Sequence, residues 1–183
     1  SALLEVMQEK QVTIGHNTYT VPDPFFVLAT QNPIESEGTY PLPEAQVDRF
    51  MMKVLVGYPS EEEEFVIVER VTGAAATVGS VCSTAQLMEL QAECRRIYVD
   101  PGLMQYAVKL VSATRRPDRY GLKDMARYIT FGASPRATIN MIEGARALAF
   151  LRARNYVLPE DVIDLVPDVL RHRLVLSYEA LSD

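Results

Sequence analysis

Two polar side chains border apolar runs in the first third of the sequence, where they could contact a phosphate group. Asn32 comes just after the run Phe25–Thr30, and Arg49 stands immediately before the run Phe50–Val56. Ligands of α/β proteins bind beyond the carboxyl ends of strands, where an amide can orient water or phosphate. An arginine offers phosphate oxygens a planar, permanently charged fork. Taken singly, Asn32 before a proline is more typical of a turn, and Arg49 of a solvated surface.

A third candidate, Arg136, stands in the first turn of a predicted helix, directly after Ser134-Pro135. Backbone N–H groups and the helix dipole favour an anion at such a helix start. The same dipole mildly disfavours an arginine there, which favours a functional role for Arg136 over an exposed structural one. Tyr58 could pack near an adenine ring, and a core tyrosine is the alternative.

The elements that must position these residues change character near residue 58. Residues 1–58 are predicted to be mixed α and β, with Phe25–Thr30 and Phe50–Val56 as buried strands because their apolar runs do not alternate. The other elements predicted in this segment are short: a helix over 2–9, a hairpin of Gln11–Ile14 and Thr18–Val21, and a helix over 43–49.

Residues 59–183 are predicted to be helical, with loops at 73–82 and 116–121. The helix starts carry capping residues or prolines, which are typical of first turns. Five helices are predicted over 61–72, 84–97, 101–115, 136–152 and 159–170. Apolar stripes such as Ile139, Ile142, Ala145 and Ala149 indicate that these helices pack as a bundle. Tyr58-Pro59 is the predicted hinge.

Composition limits the function classes. The chain has 183 residues, 48% of them hydrophobic and 23% charged, which is typical of a globular protein. Its formal charge of −6 argues against nucleic-acid binding that depends on neutralising phosphates. Cys82 and Cys94 form no CxxC motif and have no paired histidines, so no zinc site is expected. No apolar run is long enough to span a bilayer, and we expect a cytoplasmic protein.

The residues discussed above occur together in a longer pattern. Residues 12–64, with the run GTYPLPEAQVDRF, closely resemble the MoxR family of AAA+ ATPases, and GASPRA at 132–137 and LRHRLVLSYEA further on fit the same family. The resemblance implies an α/β fold followed by an all-α part. Residues 1–58 would be the C-terminal portion of the ATPase core, with strands 4 and 5 and the pre-sensor-1 hairpin, and residues 59–183 would be the helical lid.

The resemblance also implies roles for the candidate residues. Asn32 would be the sensor 1 residue, which orients the attacking water, and Arg49 the arginine finger, which acts on the ATP site of a neighbouring subunit. Arg136 would be the sensor 2 arginine, contacting phosphate from the lid. The implied cofactors are ATP and Mg²⁺. The implied partners are further copies of the chain in a ring of six, and a client protein.

Two family motifs are missing from the sequence. No GxxxxGK[ST] phosphate loop occurs, and no apolar strand ends in the Asp-Glu pair that would hold magnesium. The resemblance implies that both precede Ser1, and that this chain alone does not hydrolyse ATP. In the family's strand order, 5-1-4-3-2, strand 1 separates strands 4 and 5. We therefore expect Phe25–Thr30 and Phe50–Val56 not to form a complete sheet by themselves.

Three function classes follow. The first is a ring-forming ATPase that remodels or activates partner proteins in a chaperone-like manner. The second is a helical adaptor, and the third is a nucleic-acid motor related to replicative helicases. Arg115, Arg116 and Arg119 with Tyr120 form a local basic patch that could serve nucleic acid, a subunit interface or only solvent. The acidic balance makes the third class the least favoured.

Overall fold

The computed structural model describes residues 6–7, 9–31, 42–74 and 77–182, and helices make up most of them. The helices are α1 (Glu44–Val47), α2 (Glu61–Thr72), α3 (Thr84–Arg95), α4 (Pro101–Arg115), α5 (Pro135–Leu151), α6 (Pro159–Leu170) and α7 (Tyr178–Ser182). The strands are β1 (Gln11–Ile14), β2 (Asn17–Thr20), β3 (Ile129–Phe131) and β4 (Val175–Leu176), and 3₁₀ helices span Pro117–Tyr120 and Lys123–Tyr128. Most of the predicted helix over 2–9 lies outside the described residues.

The predicted helix starts are confirmed, and their caps explain them. Ser60 and Ser83 each accept a hydrogen bond from the backbone three residues on, and the side chain of that residue bonds back. Asp100 accepts from the N–H of Gly102, with Pro101 at the first helical position. Local sequence therefore determines where these helices begin.

The predicted hairpin is also confirmed. β1 and β2 pair antiparallel, with Gln11 opposite Thr20 and Ile14 opposite Asn17. The two-residue loop begins at Gly15, whose φ of 64° is the left-handed conformation that such turns require and glycine adopts readily.

The hydrophobic core lies between α4, α5 and α6. Eight residues on the facing sides of these helices have no exposed surface: Ala107, Val111, Ala137, Met141, Ala145, Ala149, Val162 and Val169. Four of the five buried residues of α5 are small, namely Ala137, Gly144, Ala145 and Ala149, which lets α6 approach closely. At Gly144 an added Cβ would lie 2.9 Å from Cδ1 of Leu165. A side chain there would displace the end of the Leu165 side chain.

A buried carboxylate fixes the turn between α5 and α6. Asp161 accepts hydrogen bonds from Arg152 and Arg154, each at 2.7 Å, and from the N–H of Leu158 at 2.8 Å. Burial by itself raises the pKa of Asp161, but the bonds from Arg154, Leu158 and Arg152 outweigh burial and hold that pKa below its usual value. The carboxylate is therefore charged and fully partnered.

Phe25–Thr30 and Phe50–Val56 do not form the two predicted strands. Both segments have no regular secondary structure. No other strand pairs with them among residues 9–31, 42–74 and 77–182, and backbone groups form a β-ladder only with a neighbouring strand. The expectation that these segments do not make a complete sheet by themselves is in agreement with the structure.

Three helical predictions are also corrected. α2 has no buried residue, so it does not join the bundle of α4, α5 and α6. Ile139 is 61% exposed, and the buried face of α5 instead runs through Ala137 and Met141. The loop at 116–121 contains a 3₁₀ helix. The strands β3 and β4 were not predicted, because strands of two or three residues are too short to show an alternating pattern.

Candidate functional site

The start of α5 is held by a close approach of the chain to the end of α4. An added Cβ at Gly132 would lie 2.5 Å from the backbone carbon and oxygen of Thr114, so only glycine fits there. The hydroxyl of Thr114 accepts the N–H of Ala133 at 3.0 Å, and Nε of Arg115 donates to the carbonyl of Ala133 at 2.7 Å. These contacts fix the turn from which α5 begins.

Ser134, the N-cap of α5, connects the helix to the turn that follows α1. Its Oγ accepts the N–H of Arg136 at 3.2 Å and lies 2.9 Å from both carboxylate oxygens of Asp48. Nη1 of Arg136 donates to Oδ2 of Asp48 at 3.1 Å. The carboxylate is thus held at the N-terminus of α5, where the helix dipole favours negative charge.

Arg173 lies beneath the same carboxylate, with no exposed side-chain surface. Its Nε donates to Oδ1 of Asp48 at 2.9 Å, and its Nη2 donates to the backbone carbonyl of Asp48 at 2.9 Å. The guanidinium also donates to the carbonyls of Phe50, Met51 and Val169. Burial lowers the pKa of Arg173, and the charge of Asp48 opposes that shift. A buried, fully bonded cation of this kind needs the carboxylate beside it.

We call Asp48, Ser134, Arg136 and Arg173 the Asp48 cluster. Burial by itself raises the pKa of Asp48, but hydrogen bonds from Arg136 and Ser134 and the charge of Arg173 outweigh it, so the pKa is lowered. Two guanidinium groups therefore share one carboxylate, and the cluster has a net charge of about +1 when all three groups have their usual charges. Asp48 is 15% exposed and Arg136 47% exposed, so the excess positive charge lies at the solvent side.

The segment after the cluster runs along the end of α6. The N–H of Lys53 donates to the carbonyl of Asp168 at 2.8 Å, and Nη1 of Arg171 donates to the carbonyl of Lys53 at 3.2 Å. Nε2 of His172 lies 3.1 Å from the carbonyl of Phe50, so Nε2 carries the proton. Residues 50–53 are therefore held on the helical part by their backbone.

The structure brings two of the four predicted site residues to one place. Arg136 is in the Asp48 cluster, and Arg49 is half-buried in the turn directly after Asp48. Asn32 lies outside the described residues. Tyr58 is 93% exposed, so the alternative of a core tyrosine is wrong.

Sequence reasoning missed Asp48, the contact of Ser134 with it, and the position of Arg173. Arg171, His172 and Arg173 directly follow α6, where a cation ordinarily complements the helix dipole. Arg173 does donate to a carbonyl of the last turn of α6, but its ionic partner is Asp48, 125 residues away in sequence. No local pattern links positions so far apart.

The predicted basic patch lines an open cleft. Arg115, Arg116 and Arg119 surround it together with Ser112 and Tyr120. None of the three arginines pairs with a carboxylate in the part of the chain that the structure describes. Within the same residues no group of three or more potential metal ligands comes together, and no helix has the length and apolar character to cross a bilayer.

Comparisons with known proteins agree with this architecture. The family described as "ATPase family associated with various cellular activities (AAA)" matches residues 1–52, and the "AAA lid domain" matches residues 123–183. The crystal structure of a "putative ATPase" from Cytophaga hutchinsonii aligns with a TM-score of 0.93 and 49% identity, covering 98% of this chain and 55% of that one. The fold and site thus define a partial AAA+ ATPase core with its lid domain.

Three similar proteins indicate to which family of AAA+ ATPases the chain belongs. Chaperone MoxR1 of Mycobacterium tuberculosis is 53% identical, over 100% of this chain and 48% of its own length. Protein YeaC of Bacillus subtilis is 41% identical, over 98% and 54%, and Protein MoxR of Paracoccus denitrificans is 34% identical, over 96% and 55%. The chain belongs to the MoxR family of AAA+ ATPases. It spans about half the length of the curated relatives that it matches.

Proposed function

We propose that this chain is the phosphate-sensing and lid portion of an ATPase that remodels or activates partner proteins. Residues 1–58 would contribute to the ATPase core and residues 59–183 would form the lid. The observation that carries the proposal is the Asp48 cluster, which presents the half-exposed Arg136 at the N-terminus of α5. The chaperone role rests on the family and on the name of the relative MoxR1.

The residues of the cluster suit an anionic phosphate. The cluster has one positive charge in excess, on the side that reaches solvent, and a helix N-terminus adds positive potential. Arg136 would bind the phosphate and neutralise its charge. Positioning and charge neutralisation are the main contributions of a protein to phosphoryl transfer. ATP would supply the reactive phosphoanhydride. The described residues provide no cluster of Mg²⁺ ligands, so we assign none of them to the metal.

Arg49 has a separate role in the proposal. It lies in the turn after α1 and is half-buried, next to a residue that is fixed from two sides. We propose that it acts as an arginine finger on the nucleotide of a neighbouring copy in a ring, a contribution of about 10³–10⁵ in rate in other enzymes. Asn32 would orient water, and Tyr58 would lie near the adenine. The protein would act in the cytoplasm.

The test separates nucleotide binding from hydrolysis in the full-length protein. Arg136→Ala is expected to weaken binding of a slowly hydrolysed ATP analogue, because it removes a phosphate ligand. Arg49→Ala is expected to abolish hydrolysis while that binding stays within about twofold of the wild type, because the finger acts in the transition state. Calorimetry gives the dissociation constants, and phosphate release gives the rates.

Arg96→Ala is the matched control, since Arg96 is another exposed arginine with a single carboxylate partner, Glu93. This variant should change neither the dissociation constant for the ATP analogue nor the rate of phosphate release. If Arg49→Ala and Arg136→Ala weakened nucleotide binding equally, the proposed action of Arg49 on the nucleotide of a neighbouring copy would be wrong. A full-length protein that neither binds nor cleaves ATP would disprove the proposed function.

A second candidate function is a nucleic-acid motor, favoured by the cleft that Arg115, Arg116, Arg119 and Tyr120 line. Arginines bind phosphates and an aromatic ring can stack on a base. This function predicts ATP hydrolysis that DNA stimulates and that falls steeply with salt, and Arg116→Ala with Arg119→Ala should remove the stimulation. The net charge of −6 weighs against it.

A further inference from the structure

The Asp48 carboxylate is more rigidly held than an ordinary surface acid. The buried guanidinium of Arg173 donates to Oδ1, and the hydroxyl of Ser134 lies 2.9 Å from each oxygen. The backbone carbonyl of Asp48 accepts a further bond from Arg173 at 2.9 Å. Side chain and main chain of Asp48 are thus fixed by groups that belong to α5 and to the end of α6.

Arg136 is attached to this fixed carboxylate by one edge. Only Nη1 of its guanidinium is bonded within the described part of the chain, to Oδ2 of Asp48 at 3.1 Å. A guanidinium has five N–H donors in one plane, so the edge with Nε and Nη2 remains available to a ligand. Its half-exposed position gives a ligand access to that edge.

We propose that Asp48 is a positioning residue that orients Arg136, so that the other edge of the guanidinium binds phosphate. A long arginine side chain loses conformational freedom when it binds a ligand, and a partner that has already fixed it reduces this cost. Arg173 keeps the cluster positive despite the charge of Asp48. The inference rests on the proposed function, since it concerns the same phosphate.

The sign of one measurement distinguishes positioning from charge alone. Asp48→Asn removes a negative charge close to the phosphate, so electrostatics alone would make an ATP analogue bind more tightly. Positioning predicts the opposite. We expect the dissociation constant of the full-length protein for the analogue to rise about tenfold, as when one charge-assisted hydrogen bond to the ligand is weakened. In an Arg136→Ala background the same substitution should not weaken binding.

A second pair of variants keeps the test decisive if Asp48→Asn unfolds the protein by leaving Arg173 without its counter-ion. Ser134→Ala removes a helix cap and one support of the Asp48 carboxylate, whereas Ser83→Ala removes only a cap, at the start of α3. We expect Ser134→Ala to weaken analogue binding about two- to fivefold, and Ser83→Ala to leave it unchanged.

The possible outcomes separate the two proposals. If the wild-type protein binds no nucleotide, both fail. If it binds and Arg136→Ala weakens binding, but Asp48→Asn tightens it or leaves it unchanged, the positioning role fails and the proposed function stands. Where Asp48→Asn cannot be folded, equal binding by the Ser134→Ala and Ser83→Ala variants overturns the positioning role in the same way.

Discussion

Two regions of this chain are similarly rich in apolar residues and differ entirely in what they bury. In the packed unit, formed by α4, α5 and α6, whole side chains such as Met141 and Val162 have no exposed surface. In the open segments, residues 25–31 and 54–72, Phe26 is 83% exposed and Val56 91% exposed. Apolar side chains therefore stabilise the fold only where another element packs against them.

The largest expected contrast comes from removing an apolar side chain in each region. Met141→Ala should lower the free energy of unfolding by about 2–5 kcal/mol, because it leaves a cavity among fully buried neighbours. Leu28→Ala, in an open segment where Leu28 is 81% exposed, should change it by about 0.5 kcal/mol or less. Denaturant titrations of both variants give the two values, and similar losses would show that the regions do not differ in packing.

A smaller contrast is expected between two glycines. Gly132→Ala should lower the free energy of unfolding by about 1–3 kcal/mol, because the new Cβ would meet the backbone of Thr114 and force the two segments apart. Gly79→Ala is the control, since nothing lies within 4 Å of a Cβ there. Thermal unfolding of the two variants measures this, and a neutral Gly132→Ala would mean that the start of α5 can shift freely.

The smallest contrast is expected in acid. The pKa of Asp48 is lowered in the folded protein, whereas an aspartate in the unfolded chain titrates near about 3.9. The stability that Asp48 contributes is therefore present above about pH 4 and is lost as the pH falls through the lower folded value. The difference in unfolding free energy between wild type and Asp48→Asn should be constant from about pH 5 to 7 and shrink below about pH 4.

Asp23→Asn is the control, since Asp23 lies outside the packed unit and forms an exposed ion pair with Lys10. Such a pair contributes about 0–1 kcal/mol to stability. The unfolding free energy of this variant should therefore stay close to that of the wild type at every pH. If the Asp48→Asn difference instead grew on acidification, the sign of the Asp48 shift would be wrong.

Much of the helical architecture could be predicted because its signals are local. Ser60, Ser83 and Asp100 cap helices that begin where these residues predict, and Gly15 marks the hairpin turn. The two apolar runs were predicted as strands on the same kind of local signal. They do not form strands because a ladder also needs a neighbour, and no neighbour pairs with them within the described residues.

The candidate site could be predicted only in part. Arg49 and Arg136 were found from residue type, position near an element end, and a family resemblance. Their common neighbour Asp48 was not, because an acid beside an arginine in a short helix is ordinary in sequence. Arg173 follows a helix end in the sequence, and only its burial against Asp48 shows that it forms a buried ion pair.

The family, the helix starts and the hairpin follow from the sequence alone, since each depends on residues within a few positions or on a continuous pattern. Which apolar face is buried depends on tertiary packing, which leaves Ile139 in solvent and α2 without a buried residue. Tertiary packing also decides that Asp48 and Arg173 meet. The physical reason is that burial and ion pairing depend on distances between atoms in space, which separation along the chain does not specify.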